Sequence, residues 1–186
     1  MGRDGGGIDE RFTAYVRDRG DHHLRVAVLL TGDWHAAEDL LQASLVKLYR
    51  AWPRLDTEPG TADPDAYLRR IMINTNRSWW RARWRRETPA AVLPDSASGD
   101  NIADRQALGA LVRQALASLP RRQRAVLVLR YCDDLTEAAA AELLGCSVGT
   151  VKTHAHRGLA TLRELLGDEL DRSAVNETHV PRRDSG

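Results

Sequence analysis

The sequence predicts an all-α protein of two small helical domains joined by a flexible linker, the second domain a helix-turn-helix. Three observations carry this reading. Apolar residues recur at three- and four-residue steps in both halves of the 186-residue chain. Runs of β-branched and aromatic residues, which mark strands, are absent. Between the halves lies TPAAVLPDSASGDNIAD, residues 88–104, whose prolines, small residues and acids offer little to bury.

The first domain is expected over residues 8–87. Phe12, Tyr15, Leu24, Val28 and Leu29 open a helical pattern that Gly32 and Asp33 interrupt. From Ala36 to Trp52, the residues Ala37, Leu40, Leu41, Ser44, Leu45 and Leu48 share one side, and Pro53 is expected to stop that helix. Arg54 to Pro64 reads as a loop. A further helix is expected from Asp65, with Tyr67, Leu68, Ile71, Met72 and Thr75 as its apolar stripe, continuing through a run of arginines.

The second domain is expected over residues 105–170. Leu108, Leu111, Val112, Ala115, Leu116 and Leu119 keep helical spacing up to Pro120, which also suits an early position of the next helix, Arg121 to Tyr131. Asp133 and Asp134 break that helix. Thr136 to Leu144 reads as a short alanine-rich helix, Gly145-Cys146-Ser147 as a tight turn, and Val148 to Leu166 as a longer helix. The polar tail after Leu170 is expected to be disordered.

Bulk properties narrow the function classes. The formal net charge of +1 conceals polarity along the chain. Seven arginines and no acid lie between Arg69 and Arg86, whereas Asp33 to Asp39 and Asp95 to Asp104 are acidic. No apolar run reaches the length of a membrane span, and the polar, glycine-rich start lacks the apolar segment of a secretory signal, so a cytoplasmic protein without membrane insertion is expected. The two cysteines, Cys132 and Cys146, fit a reducing compartment. Cys146 with His154 and His156 matches no zinc spacing, so no metal or other cofactor is expected. Paired carboxylates, a nucleophile–base arrangement and a phosphate-binding glycine loop are all missing from the pattern, which argues against an enzyme.

The most specific segment is LTEAAAAELLGCSVGTVKTHAHRGLATLREL, Leu135 to Leu165. A short helix, a glycine turn and a second helix opened by Ser147 make a helix-turn-helix. The alanines at 138–141 allow close helix approach. Gly145 suits a positive φ at the helix end, and Ser147 suits a cap for the next helix. Val148, Val151, Ala155, Leu159, Leu162 and Leu166 should face the core. The opposite face holds Gly149, Lys152, Thr153, His156, Arg157 and Ala160, with Thr150 beside it. Such donors match base edges in a major groove. Solvation alone accounts for most polar helix faces, but the preceding helix, turn and cap favour DNA. Arg121, Arg122, Arg124 and Arg130 are candidates for neighbouring phosphates, each of them equally compatible with an ordinary surface charge.

The second distinctive segment is AYLRRIMINTNRSWWRARWRRE. Arginines beside Trp79, Trp80 and Trp84 combine phosphate attraction with flat stacking surfaces. Asn74, Asn76, Arg77 and Arg81 are placed to meet bases or backbone, while Trp79, by its spacing from Ile71, Met72 and Thr75, is expected in the core. This chemistry suits a protein that holds a duplex where it opens, with the loop at residues 54–65 as a candidate pocket wall.

With both segments in this order, the chain resembles the extracytoplasmic-function sigma factors of bacterial RNA polymerase. It is similar in particular to their actinobacterial sigma-E-like type, with its WW-containing region 2 and LGCSVGTVK in region 4. The resemblance covers roughly residues 10–168. It implies that Ala37 to Trp52 docks on the clamp helices of the polymerase's largest subunit, with Glu38, Asp39 and Gln42 as interface residues. It also implies that the loop at residues 54–65 and the helix carrying Asn74, Arg77, Trp80 and Arg81 bind and melt the −10 element. Thr150, Lys152, Thr153, His156 and Arg157 would then read the −35 element, and the linker would thread toward the polymerase's active-site channel. Core polymerase and promoter DNA are the implied partners, with an anti-sigma factor typical of the broader family. Arg121 departs from the acid common in relatives, and with no long extension after the second domain, control by an appended domain is not expected. A stand-alone regulator with a similar helix-turn-helix would leave the first domain unexplained.

Overall fold

The computed structural model describes the backbone of residues 4–56, 63–84 and 103–177, and the side chains of residues 7–55, 63–81 and 109–167. Among the described residues it is wholly helical, with seven α-helices and one π-helical turn. The first unit holds α1 (Asp4–Thr31), α2 (Trp34–Asp56) and α3 (Pro64–Trp84), with α1 and α3 both packed on α2. The second holds α4 (Ala103–Ser118), α5 (Arg121–Leu127) continued by the π turn Val128–Cys132, α6 (Glu137–Leu144) and α7 (Val148–Glu177). The expected linker, residues 88–104, lies outside the described residues except for its last two, which belong to α4.

Local chemistry sets the helix boundaries. Gly32 at φ +78° ends α1, its N–H donating to the Val28 carbonyl at 2.8 Å. Asp33 then caps α2 by accepting from the Ala36 N–H at 2.7 Å. Asp63 does the same for α3, accepting from the Asp65 N–H at 2.9 Å, with Pro64 in the first helical position where a missing N–H is harmless. Pro120 serves as both the stop of α4 and the cap residue of α5.

Several boundaries differ from expectation: α2 opens at Trp34, two residues before Ala36, and α4 at Ala103, two before Arg105. α2 passes through Pro53 to Asp56, because Trp52 is buried and Leu55 is packed on the core, and their burial holds the turn that contains the proline. α3 starts at Pro64, one residue before Asp65. α7 runs beyond Leu170 to Glu177, since DELDRSAVNE is made of helix-compatible residues with no breaker before Pro181. Of the expected loop at residues 54–65, the first three residues are helical and residues 57–62 lie outside the described ones.

One apolar cluster runs through both units, from Leu40, Leu48, Leu68 and Met72 to Val126, Leu129, Ala140 and Val151. Phe12 meets the rings of Tyr49 and Trp52 edge-on, at 5.0 and 5.1 Å, and so closes the end of α1 against α2. Ser44 lies within the apolar stripe and is buried, its hydroxyl satisfied by the Leu40 carbonyl at 2.7 Å. At Gly158 a Cβ would come within 2.9 Å of Leu127, so the glycine lets α7 lie directly on α5.

A polar knot ties α1 to the start of α3. Asp65 accepts from Tyr15 at 2.8 Å, from His23 Nε2 at 2.9 Å and from Arg19 Nε at 2.9 Å. Burial alone would raise the Asp65 pKa, but the hydrogen bonds from Arg19, His23 and Tyr15 outweigh it and hold the carboxyl well below its usual range. Burial pushes His23 below its ordinary value against the pull of Asp65, and His23 Nδ1 is buried without a hydrogen-bond partner. A neutral ring protonated on Nε2 satisfies both observations.

The knot makes stability acid-sensitive. The folded pKa of His23 lies below the 6.5 of the unfolded chain, so the unfolded state takes up protons first and stability is lost as pH falls below 6.5. Asp65 adds a second loss as pH falls below 3.8. The urea midpoint of unfolding should therefore fall in two stages, and His23→Gln should flatten the upper one. An unchanged profile in that variant would refute the assignment.

Candidate nucleic-acid interface

The helix-turn-helix is built as its local chemistry requires. Thr136 caps α6, accepting from the Ala139 N–H at 3.1 Å. Gly145 leaves that helix at φ +65°, ψ +44°, with Cys146 N–H on the Ala141 carbonyl and Gly145 N–H on that of Glu142. Ser147 then caps α7 by accepting from the Thr150 N–H at 3.1 Å. The turn is closed at both ends by its own polar groups.

This turn presents one face of α7 to solvent. Lys152, Thr153, His156 and Arg157 are exposed there. Lys152 forms an ion pair with Glu137 of α6 at 3.5 Å, and the Thr153 hydroxyl donates to the Gly149 carbonyl at 2.9 Å. Thr150 is half-buried with its hydroxyl paired to Ser147, so it belongs first to the cap. Val151 is fully buried, but Val148, expected in the core, is exposed beside the turn because the first helical residue projects past the layer that covers Val151. Of the four arginines considered for phosphate, Arg122 is exposed, Arg130 donates to the Leu135 carbonyl and Arg121 stacks on Trp80. Arg124 does not face solvent. It is buried among helix-end carbonyls, accepting no role at phosphate.

On α3, Asn74, Arg77 and Arg81 are exposed, with Arg77 donating to Asn74 at 3.3 Å. Trp80 is half-buried beneath Arg121. Trp79, expected in the core, is 39% exposed. Burial along α3 stops at Thr75, so the ring one helical step further has no layer to enter. Instead it helps line a groove of about 430 Å³ between α2 and α3, with Lys47, Tyr67, Arg70, Asn74, Thr75 and Ser78. Lys47 donates to the Thr75 hydroxyl at 2.8 Å. Lys47 lies among the apolar positions of α2 in sequence, and its part in the groove depends on how α2 and α3 cross. The groove offers a ring, amides, hydroxyls and cations together, the mixture that suits an unpaired base with its phosphate.

The exposed side of α2 is different in character. Glu38, Asp39 and Gln42 are exposed and continue into Val46 and Tyr49, 54% and 45% exposed. Trp34 donates to Glu38 at 3.0 Å. Apolar groups beside acids, away from the basic helix, form a surface suited to protein rather than nucleic acid. No group of three or more His, Cys, Asp or Glu able to hold a metal occurs among the described residues, and no described helix is long and apolar enough to cross a membrane.

Comparison with known proteins matches both halves of the chain to a family. The family profile for Sigma-70 region 2 matches residues 15–86, and that for Sigma-70, region 4 matches residues 110–162. The chain is 45% identical over 175 residues to the RNA polymerase sigma-E factor of Streptomyces avermitilis, covering 92% of this chain and 94% of that one. It is 42% identical to its counterpart in Streptomyces coelicolor, covering 92% and 95%. Among solved structures, it is similar to the sigma factor RpoE from Bartonella quintana, crystallised with the anti-sigma factor NepR, at a TM-score of 0.62 and 25% identity, covering 85% and 98% of the two chains.

Ser147 is the joint of the reading turn. Ser147→Ala should lower unfolding stability by about 1 kcal/mol, measured by urea denaturation, through loss of the cap on the Thr150 amide. An effect below a few tenths would deny the cap its role.

Proposed function

We propose a division of labour among the surfaces of this chain, which belongs to the sigma-E-like extracytoplasmic-function sigma factors of RNA polymerase. As a sigma factor it binds core RNA polymerase and directs promoter-specific initiation, and it is not itself an enzyme. Residues 8–87 serve as region 2 and residues 105–170 as region 4. The observation that carries the assignment is that a capped helix-turn-helix and an arginine–tryptophan helix each present an exposed polar face, while a separate acidic and apolar face lies on α2.

In this reading Lys152, Thr153, His156 and Arg157 enter the major groove at the −35 element, with Thr150 as the base of the reading turn. Lys and Arg donors there match guanine O6 and N7, each good bidentate pair contributing roughly 1–3 kcal/mol of discrimination. Asn74, Arg77, Trp80 and Arg81 engage the −10 element, and the groove holding Trp79 and Lys47 receives a base released from the duplex. The face of Glu38, Asp39 and Gln42 docks on the clamp helices of the largest subunit, with Val46 and Tyr49 supplying buried area. The likeness to a structure that contains an anti-sigma factor supports an inhibitor of that kind as a further partner. Service to the polymerase places the chain in the cytoplasm.

In vitro transcription with core enzyme on genomic DNA, followed by sequencing of the start sites, should reveal a new set of starts sharing one pair of elements. No new start would sink the reading. On a promoter so found, Arg157→Ala should lose at least tenfold in preference for its −35 element with core binding intact. Glu38→Ala with Asp39→Ala should weaken core binding instead, with the helical content of the chain unchanged by circular dichroism.

A further inference from the structure

We propose that Val148 selects a thymine in the −35 element by contact with its C5-methyl group. The inference deepens the assignment of α7 to that element and rests on it. What points to it is where the structure puts this side chain. Val148, Lys152 and His156 stand four residues apart, so they form one stripe along the helix, and all three are exposed. Val148, 39% exposed, is the end of that stripe nearest the turn. The first residues of a recognition helix are those that meet base edges. A lone apolar residue on a surface needs no explanation. One that heads the polar stripe of a reading helix has a defined place in the groove.

Local chemistry fixes it there. Ser147 caps the helix through the Thr150 N–H, and its carbonyl accepts from the Val151 N–H at 3.1 Å. Val151 is fully buried, so Val148 is held between a closed cap and a core anchor. A β-branched side chain in a helix keeps essentially one χ1 rotamer, and little freedom is lost when it makes a contact. Gly149 beside it has an ordinary backbone, and a Cβ there would meet only the Ser147 hydroxyl, at 3.8 Å. Packing within the protein therefore places no demand for glycine at this position. Its effect is to leave one flank of Val148 uncovered.

The side chain of valine has neither donor nor acceptor. Guanine, adenine and cytosine present hydrogen-bonding groups in the major groove, and against them it would strip water without replacing it. Thymine alone adds a methyl group there. The residue thereby selects in two ways, gaining contact at thymine and costing hydration at other bases. Lys152, next on the stripe, is paired with Glu137 and offers donors instead of apolar area. Val148 and Arg157 lie roughly 14 Å apart along the helix, at about 1.5 Å per residue, so they address different base pairs.

The test uses holoenzyme reconstituted from core polymerase and the full chain, on a promoter mapped with that enzyme. Each thymine of the −35 element, on either strand, is replaced in turn by uracil, which removes the methyl group and nothing else. At one position wild-type affinity should fall about fourfold, the worth of one buried methyl group. Val148→Ala should lose most of that difference, with helical content by circular dichroism unchanged. Cytosine and 5-methylcytosine compared at the same position should repeat the contrast, the methylated base being preferred by wild type and not by the variant. An element without thymine, uracil tolerated at every position, or a loss that persists in full in Val148→Ala would overturn the inference. The assignment beneath it is read separately. If Arg157→Ala still loses its −35 preference, α7 remains the reading helix and only the role of Val148 fails; if that preference is unchanged, both fail.

Discussion

Two helix ends meet in the interior of this protein, and a single guanidinium satisfies both. The last carbonyls of any helix lack partners within it, and leaving them buried and unpaired costs about 1–3 kcal/mol each. Arg124 donates to the carbonyls of Leu30 and Thr31 at the end of α1 and to those of Ala117 and Leu119 at the end of α4. Its charge also faces the negative ends of both helix dipoles, which offsets the burial that lowers its pKa. Lysine has three donors and no planar fork, so it could not serve both ends. Gly32 completes the arrangement: a Cβ there would lie 3.0 Å from that of Ala117 and 3.1 Å from Arg124 Nη1. The route of the chain out of α1, the seating of α4 and the meeting of the two units all follow from that one side chain.

Around this centre the helices divide their surfaces by charge. The acids of α2, the cations of α3 and the polar face of α7 each stand opposite an apolar stripe that anchors the helix. A net charge of +1 is thus the sum of surfaces with different partners. The acids Glu38 and Asp39 of α2 stand apart from the exposed cations Arg77 and Arg81 of α3, so under the proposed assignment a protein partner and a polyanion meet different surfaces.

Much of the fold was legible because helix boundaries are written in short local chemistry. Gly32, Asp33, Pro120, Gly145 and Ser147 act in the structure as their residue types suggest. The polar faces of α3 and α7 followed from helical spacing, whereas Glu38, Asp39 and Gln42 of α2 came with the family resemblance. What escaped the sequence depends on neighbours distant along the chain. Pro53 was overruled by the burial of Trp52 and Leu55 beside it. Trp79 kept an apolar period but met no opposing layer, and Arg124 resembled its surface neighbours Arg121 and Arg122 until the carbonyls of α1 came into view. Lys47 reached the groove only through the crossing of α2 with α3. Spacing reports which residues share a side of one helix, and says nothing about what another helix will bring to that side.

The ion pair between Lys152 and Glu137 has a consequence for affinity. Under the proposed assignment the lysine already has an anionic companion at rest, so meeting a duplex is an exchange of partners instead of a simple capture. An exposed pair of this kind is worth up to about 1 kcal/mol, or roughly fivefold in an equilibrium. Every duplex that engages the lysine meets the same cost, so the handicap cancels from the ratio of right to wrong sequences. The carboxylate of Glu137 thereby lowers idle attachment to any polyanion and leaves discrimination to the groups that meet base edges.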